Sequence, residues 1–422
     1  MKKLSVSLLF VSITLLLSAQ TTAIINEREV QRIENNLSSD DMQGRKAFTA
    51  GSEKAAAFIS NEFQKIGLKT FDGTNIYKQN FTIVQPQNPV ISASFESKAI
   101  DPENIIVFTC LPDINITAKS GFKKLYIKQD AIFGKEVSEY IQLKENLLVF
   151  VDPGFTENFK RLANRKQYLF KSGKSVVFVL GNYNTDSFII HAKHEITENQ
   201  ATNIIGVLPG KSKKNEFLIF SAHYDHLGTG EAINNDSIYN GANDDASGVT
   251  AVISLAKYYK QANNNQRTLI FTAFTAEEIG GYGSQYFSKQ LDPQKTVAMF
   301  NIEMIGTESK WGRNSAYITG FEKSDMGKIM QKNLQGSKFT FYPDPYPEQN
   351  LFYRSDNATL ARSGVPAHTI STSKMDNEPN YHKLSDEVKT LDLQNMSQII
   401  QAIAISAKSI INGRDTPARV KE

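Results

Sequence analysis

Apolar positions recur along this chain in two rhythms. Between residues 24 and 70 the spacing is helical: Ile33 and Leu37, then Ala55, Ala56, Phe58, Ile59, Phe63 and Ile66 fall on common faces, and Gly67 ends the second helix. Residues 75–95 alternate as a strand does, around Tyr77, Phe81 and Ile83. Apolar runs at Ile105–Phe108, Leu147–Val151 and Val176–Leu180 predict strands, with a helix near 155–170. From residue 200 the order becomes strand, helix, strand. Phe217–Ala222, Thr268–Phe274, Val297–Ile302 and Val365–Ile370 read as strands. Ala246–Tyr259 and Tyr282–Gln290 read as helices, and Leu391–Ile411 as a long closing amphipathic helix. Such alternation predicts an α/β fold: a mixed, largely parallel central sheet with helices on both faces. In sheets of this kind ligands bind beyond the carboxyl ends of the strands.

The first residues follow a different logic. Lys2 and Lys3 precede Leu4–Leu17, an apolar run of 14 residues, and small residues follow at Ser18-Ala19 and Thr21-Thr22-Ala23. This is the layout of an export signal, residues 1–23, and the run is shorter than the ~20 residues that span a bilayer. The remainder is expected to be exported, periplasmic or secreted, with no stable membrane insertion after cleavage. Residues 96–199 carry strand-like runs, and no catalytic constellation stands out there.

Composition narrows the chemistry. The chain has 422 residues, 40% of them hydrophobic and 22% charged, with a formal charge of +3 that falls to 3 − 2 = +1 without Lys2 and Lys3. That near-balance gives no reason to expect nucleic acid as a partner. The single cysteine, Cys110, makes no internal disulfide and no thiolate metal site, so a bound metal must be held by histidines and carboxylates.

Such residues cluster in the second half. His223-Tyr224-Asp225 follows one predicted strand, Glu277-Glu278 a second, and Glu303 ends a third. Asn243-Asp244-Asp245 precedes a helix, and Tyr381-His382 lies before the last one. Each has an ordinary explanation when taken singly. Asp244-Asp245 could cap the following helix, Glu277-Glu278 could be a solvated strand end, and His382 could be a surface residue. Their joint order, each beside a strand end or helix start, predicts one rim where two imidazoles and several carboxylates meet. Such a set suits zinc, and its size suits two ions sharing a carboxylate.

The motifs in sequence are Ser221-Ala-His223-Tyr-Asp225-His226-Leu-Gly228, Tyr239-Asn-Gly241-Ala-Asn-Asp244-Asp245-Ala-Ser-Gly248, Phe274-Thr-Ala-Glu277-Glu278-Ile-Gly280, Asn301-Ile-Glu303-Met-Ile-Gly306, Arg354-Ser-Asp356-Asn, Gly364-Val-Pro366-Ala and Tyr381-His382. Together they resemble the zinc aminopeptidases of peptidase family M28. The resemblance covers 200–422 and extends to 30–95, where Asp41-Met-Gln-Gly44-Arg45 is similar to the family's lead-in. It implies a zinc-exopeptidase fold and two zinc ions per chain. His223, Asp244 and Glu303 would hold one ion; Asp244, Glu278 and His382 would hold the other, with Asp244 bridging. Glu277 would be the general base for a metal-bridging water. Asp225 would accept a hydrogen bond from the second nitrogen of His223, and Tyr381 would stabilise an oxyanion. The family's usual residue at 303 is Asp, so Glu303 is a departure that lengthens the ligand by one methylene. The segment 96–199 sits where many members carry a protease-associated domain, so the resemblance implies a smaller β-rich domain inserted between residues 24–95 and 200–422 of the peptidase domain, and shaping access to the cleft is its expected work.

The implied activity is removal of N-terminal residues from peptides or proteins. Glutaminyl cyclisation with a single zinc, and carboxypeptidase or dipeptidase activity on the same fold, stay open as alternatives. No GxSxG elbow and no HExxH occurs, and Gly173-Lys-Ser and Gly210-Lys-Ser lack the upstream glycine of a P-loop. His226 reads as a polar rim residue or a support to the ligands. His191, His194, His368 and Cys110 read as structural, and Ser355-Asp356 as ordering a nearby loop.

Overall fold

The computed structural model describes residues 21, 23–71, 73, 76–164 and 168–421. The export signal expected at 1–23 therefore lies outside the described residues, save Thr21 and Ala23. The chain forms two compact units, Met1–Asn80 with Ala201–Glu422, and Phe81–Gln200. Among the described residues no helix is long and apolar enough to cross a membrane.

The first unit opens with helices α1 (Glu27–Leu37) and α2 (Ala50–Ile66). Asn26 caps α1 by accepting the Glu29 N–H at 3.1 Å. Gly67 closes α2 in the left-handed conformation, its N–H returned to Phe63 and Gln64. The elements after these are β1 (Phe188–Leu208), β2 (Lys213–His223), α3 (Ser247–Ala262), β3 (Arg267–Phe274), α4 (Tyr282–Ser288), β4 (Thr296–Ile302), β5 (Ser315–Ile318), β6 (Thr340–Pro343), β7 (Ala367–Ser371) and α5 (Leu393–Ser406). These strands take the order β6-β5-β7-β4-β2-β3-β1 in a sheet of twelve strands. Its centre, β7-β4-β2-β3, is parallel. Antiparallel neighbours flank that centre, β1 beside β3 and β5 beside β7. The mixed, largely parallel α/β sheet is as the alternation predicted.

Period-two alternation covers both faces of this sheet. Leu218 and Phe220 of β2 join Leu269 and Phe271 of β3 and Ala298 and Phe300 of β4 in a core shared with α1, α2, α3 and α5. The intervening Ile219, Ile270 and Met299 pack on the opposite face with Phe287 of α4. Phe220 stacks on Phe271 at 5.6 Å and Phe300 at 4.9 Å between ring centres. The expected closing helix divides at Ala407 into α5 and a single turn, Lys408–Ile411. The short strands β5 and β6 and the helix Met326–Asn333 had no counterpart in the apolar pattern.

The second unit carries a four-stranded sheet in the order Ile105–Phe108, Val176–Leu180, Leu147–Val151, Lys123–Ile127. Its last three strands are parallel, with helices Phe133–Gln142 and Thr156–Ala163 lying between them in sequence. Phe159, Val137 and Phe133 from those helices pack on Val149, Val151 and Phe178. The unit thus includes helix as well as strand.

Glu34 lies on the buried stripe of α1 with Val30, Ile33 and Leu37. Its Oε2 accepts the Thr250 hydroxyl at 2.7 Å, while Oε1 has no partner. Burial pushes its carboxyl up to about 8. The folded value exceeds the unfolded one, so this stability is full below about pH 4.5 and lost as pH rises through about 8. Glu34→Gln should flatten that fall. Urea midpoints measured from pH 5 to 9 check it, and parallel curves for variant and wild type would exclude Glu34 as the responsible group.

Candidate metal centre

The strands β2, β3 and β4 are hydrogen-bonded in parallel, so their carboxyl ends share a rim. β2 delivers His223 as its last residue, followed by Asp225 and His226. β3 is followed by Glu277 and Glu278, and β4 by Glu303. Asp244 and Asp245 lie in the turn just before α3, joined by a cis peptide. His382 comes from the loop between β7 and α5. Ala276, Met304 and His382 all have positive φ, at 58°, 53° and 56°. Non-glycine residues rarely adopt this conformation, and here each is or adjoins a candidate site residue.

These side chains converge. His223 Nε2 is 3.3 Å from Asp244 Oδ1. His382 Nε2 is 3.3 Å from Asp244 Oδ2 and 3.3 Å from Glu278 Oε2. Asp244, Glu277, Glu278, Glu303, Tyr381 and His382 line one cleft, whose other wall includes Tyr317, Leu351 and Met375. Glu303 Oε2 and His223 Nε2 are buried without a hydrogen-bond partner. Tyr381 stacks on His382 with ring centres 3.9 Å apart. Imidazole nitrogens and carboxylate oxygens, two of them buried and unpaired, form a donor set that suits a divalent cation.

The electrostatics report a crowd of like charges. Burial works to raise Asp244, but the imidazoles of His223 and His382 beside it prevail and hold it well below the usual carboxylate range. His382 is pushed up to about 10 by Asp244 and Glu278. Glu277 is driven well above the usual carboxylate range by desolvation, assisted by Glu303, Asp356 and Glu278. Burial likewise raises Glu303 to about 7 and Asp356 to about 6. Tyr381 is held above the ordinary phenol range by burial and the carboxylates, so it keeps its proton.

Backbone donors fix the remaining carboxylates. The adjacent pair separates by role: Asp245 does what a helix cap does, accepting the Gly248 N–H at 3.0 Å, and it also accepts the Met304 N–H at 3.0 Å. Asp244 faces the histidines. One expectation is corrected. The Asp225 carboxylate stands 4.0 Å from His223 Nδ1, and it is the Asp225 main-chain carbonyl that lies at 3.1 Å. The carboxylate turns instead to the N–H groups of Glu277 and Glu278, at 3.1 and 3.4 Å, and so holds the loop after β3. Ser355 accepts from Asn301 at 2.7 Å, which ties the Arg354–Asn357 loop to β4. His368 lies away from the rim, between Thr319 and Ser324.

Three further residues build the site. Asp386 receives the Asn243 N–H at 2.8 Å and the Asp244 N–H at 3.0 Å, joining the His382 loop to the Asp244 turn. Arg45 is buried and donates to the carbonyls of Tyr224, Leu37, Asn240 and Gly241. His226 is buried, with Nδ1 2.7 Å from Glu278 Oε1. Its donor atom, Asp244 and Glu278 lie within 4.8 Å of one another. His226 was legible as a neighbour of His223, and the Arg45 motif was visible. Nothing in the apolar rhythm marked Asp386.

Residues 203–406 match peptidase family M28 over the stretch that carries every one of the rim's candidate ligands. Residues 203–406 are an M28 peptidase domain. The fold agrees. An aminopeptidase from Aneurinibacillus sp. strain AM-1 superposes with a TM-score of 0.56 at 16% identity, covering 96% of this chain and 97% of that one. BSAP, a zinc aminopeptidase from Bacillus subtilis, gives 0.55 at 16% identity, covering 94% and 98%. In sequence, the vacuolar membrane protease of Schizosaccharomyces pombe is 24% identical over 60% of this chain, and the chain spans only 30% of that protein. The aminopeptidase YwaD of Bacillus subtilis is 21% identical over 54% of this chain and 48% of its own length.

Within the M28 domain, Asp386→Ala would leave two backbone N–H groups without their acceptor, at a cost of about 1–3 kcal/mol each. Chemical denaturation should show the loss, with Asp386→Asn milder because one acceptor oxygen is kept.

Proposed function

We propose that this chain is an exported di-zinc aminopeptidase that removes N-terminal residues from peptides. The reading is carried by Asp244, Glu278, Glu303 and His382 lining one cleft, with His223 3.3 Å behind Asp244. His223, Asp244 and Glu303 would hold one zinc, and Asp244, Glu278 and His382 the other, with Asp244 shared. Bound zinc supplies Lewis acidity, which acidifies water and polarises a scissile carbonyl. Glu277 lines the same cleft and keeps no bond to the histidines, so it is free to take a proton from the attacking water and return it to the leaving amine. Its raised affinity for protons suits that double duty. Tyr381, protonated and stacked on His382, donates to the developing oxyanion. Asp225 positions Glu277 and Glu278 through their N–H groups. Met304, Tyr317, Leu351 and Met375 give the cleft an apolar wall for the substrate's first side chain. Export through the leading segment belongs to the same proposal.

Glu277→Gln should keep its zinc and its fold while turnover falls by about 10²–10⁴. Metal analysis beside initial rates checks it, and a near wild-type rate would remove Glu277 from the mechanism. A panel of free, N-acetylated and C-amidated peptides reads direction. N-acetylation should abolish cleavage and C-amidation should not; the opposite result would favour a carboxypeptidase.

A further inference from the structure

His226 is a buried imidazole at the rim that the mechanism above does not use. Its Nδ1 is 2.7 Å from Glu278 Oε1 and 3.9 Å from Asp244 Oδ2. Its Nε2 is buried and unpartnered. The ring is wedged in place: a Cβ on Gly241, which has φ +56°, would stand 2.5 Å from His226 Cδ2. The edge of His382 closes the other side, with ring centres 5.8 Å apart. The backbone N–H points to the Arg45 carbonyl at 3.4 Å.

A carboxylate offers two oxygens, and the two of Glu278 are spoken for differently. Oε1 faces His226, while Oε2 faces His382 at 3.3 Å. Because a carboxylate only accepts, the nitrogen at 2.7 Å must carry the proton. The hydrogen bond therefore occupies Oε1, and the oxygen left over is the one beside His382 and Asp244.

We propose that His226 is a positioning residue for the metal centre: by donating Nδ1–H to Glu278 Oε1 it leaves Oε2 for a cation that Glu278 would hold with His382 and Asp244. The proposal rests on the two-ion reading and adds a second role to the histidine cluster after β2. His223 ligates, and His226 aims another residue's ligand. Outer partners of this sort change metal affinity by about 10–100-fold when lost.

Zinc affinity measured by chelator competition on the full chain tests it, with circular dichroism as a check on folding. His226→Leu should weaken one ion by about 10–100-fold and leave the other unchanged. His226→Asn, whose amide N–H can reach Oε1 but is no zinc ligand, should stay within about threefold of wild type, roughly 0.7 kcal/mol or less. In a Glu278→Ala background, His226→Leu should change zinc affinity no further. Unchanged affinity in His226→Leu would overturn the proposal. So would equal losses in the Asn and Leu variants, because His226 would then ligate zinc itself. If His226→Leu does not fold, His226→Ala takes its place, with the same expected loss of about 10–100-fold and the same absence of a further loss in the Glu278→Ala background. A wild-type stoichiometry of one zinc would refute the two-ion reading separately, and the His226 comparison would still read the ion that Glu278 holds.

Discussion

Asp225, Asp244, Asp245, Asp356 and Asp386 are buried at one rim of the sheet, with Glu277, Glu278 and Glu303 beside them. Withdrawn from water, so many carboxylates repel unless positive charge or N–H donors are shared among them. That requirement organises the rim. Carboxylates turned away from the cleft are held by backbone amides: Asp245 by Gly248 and Met304, Asp225 by Glu277 and Glu278, and Asp386 by Asn243 and Asp244. Those turned towards it share imidazoles, as Asp244 and Glu278 share His382. The division separates groups that shape the loops from groups left to do chemistry.

The same principle explains why neighbours in sequence differ in role. Asp244 and Asp245 are adjacent, yet one is drawn below the ordinary carboxylate range by imidazoles and the other is pushed above it by burial. Glu277 and Glu278 part in the same way: burial raises Glu277 against the pull of His223, whereas hydrogen bonds from His226 and His382 lower Glu278. Burial alone would move all four upward. The hydrogen-bond partners decide, and those partners arrive from separate strands and loops.

Much of this was legible in the sequence, because the candidate ligands sit at the ends of strongly apolar strands. Phe217–Ala222, Thr268–Phe274 and Val297–Ile302 announce β2, β3 and β4, and a parallel sheet brings their ends together. What stayed hidden depends on distant partners. Asp225 was expected to hold His223 by its carboxylate, and the main-chain carbonyl does so. Asp386 is one acidic residue in a polar loop until its two amide partners are seen, 142 and 143 positions away. The Lys123–Ile127 strand and Phe133–Gln142 helix escaped because few of their residues are buried. The strand β1 is buried towards both ends, but none of residues 195–200 in its middle is buried, which breaks its apolar pattern.

Arg45 reaches the carbonyls of Tyr224 and Gly241 across 179 and 196 residues of chain. The parallel strands β2, β3 and β4 are joined by short crossovers and can find one another locally. Contacts of much greater separation carry a larger loop-closure entropy and form later. Arg45 therefore ties the shape of the loops at the rim to the N-terminal segment. The formed rim requires both stretches of the first unit, the one before residue 80 and the one after residue 201, to be in place together.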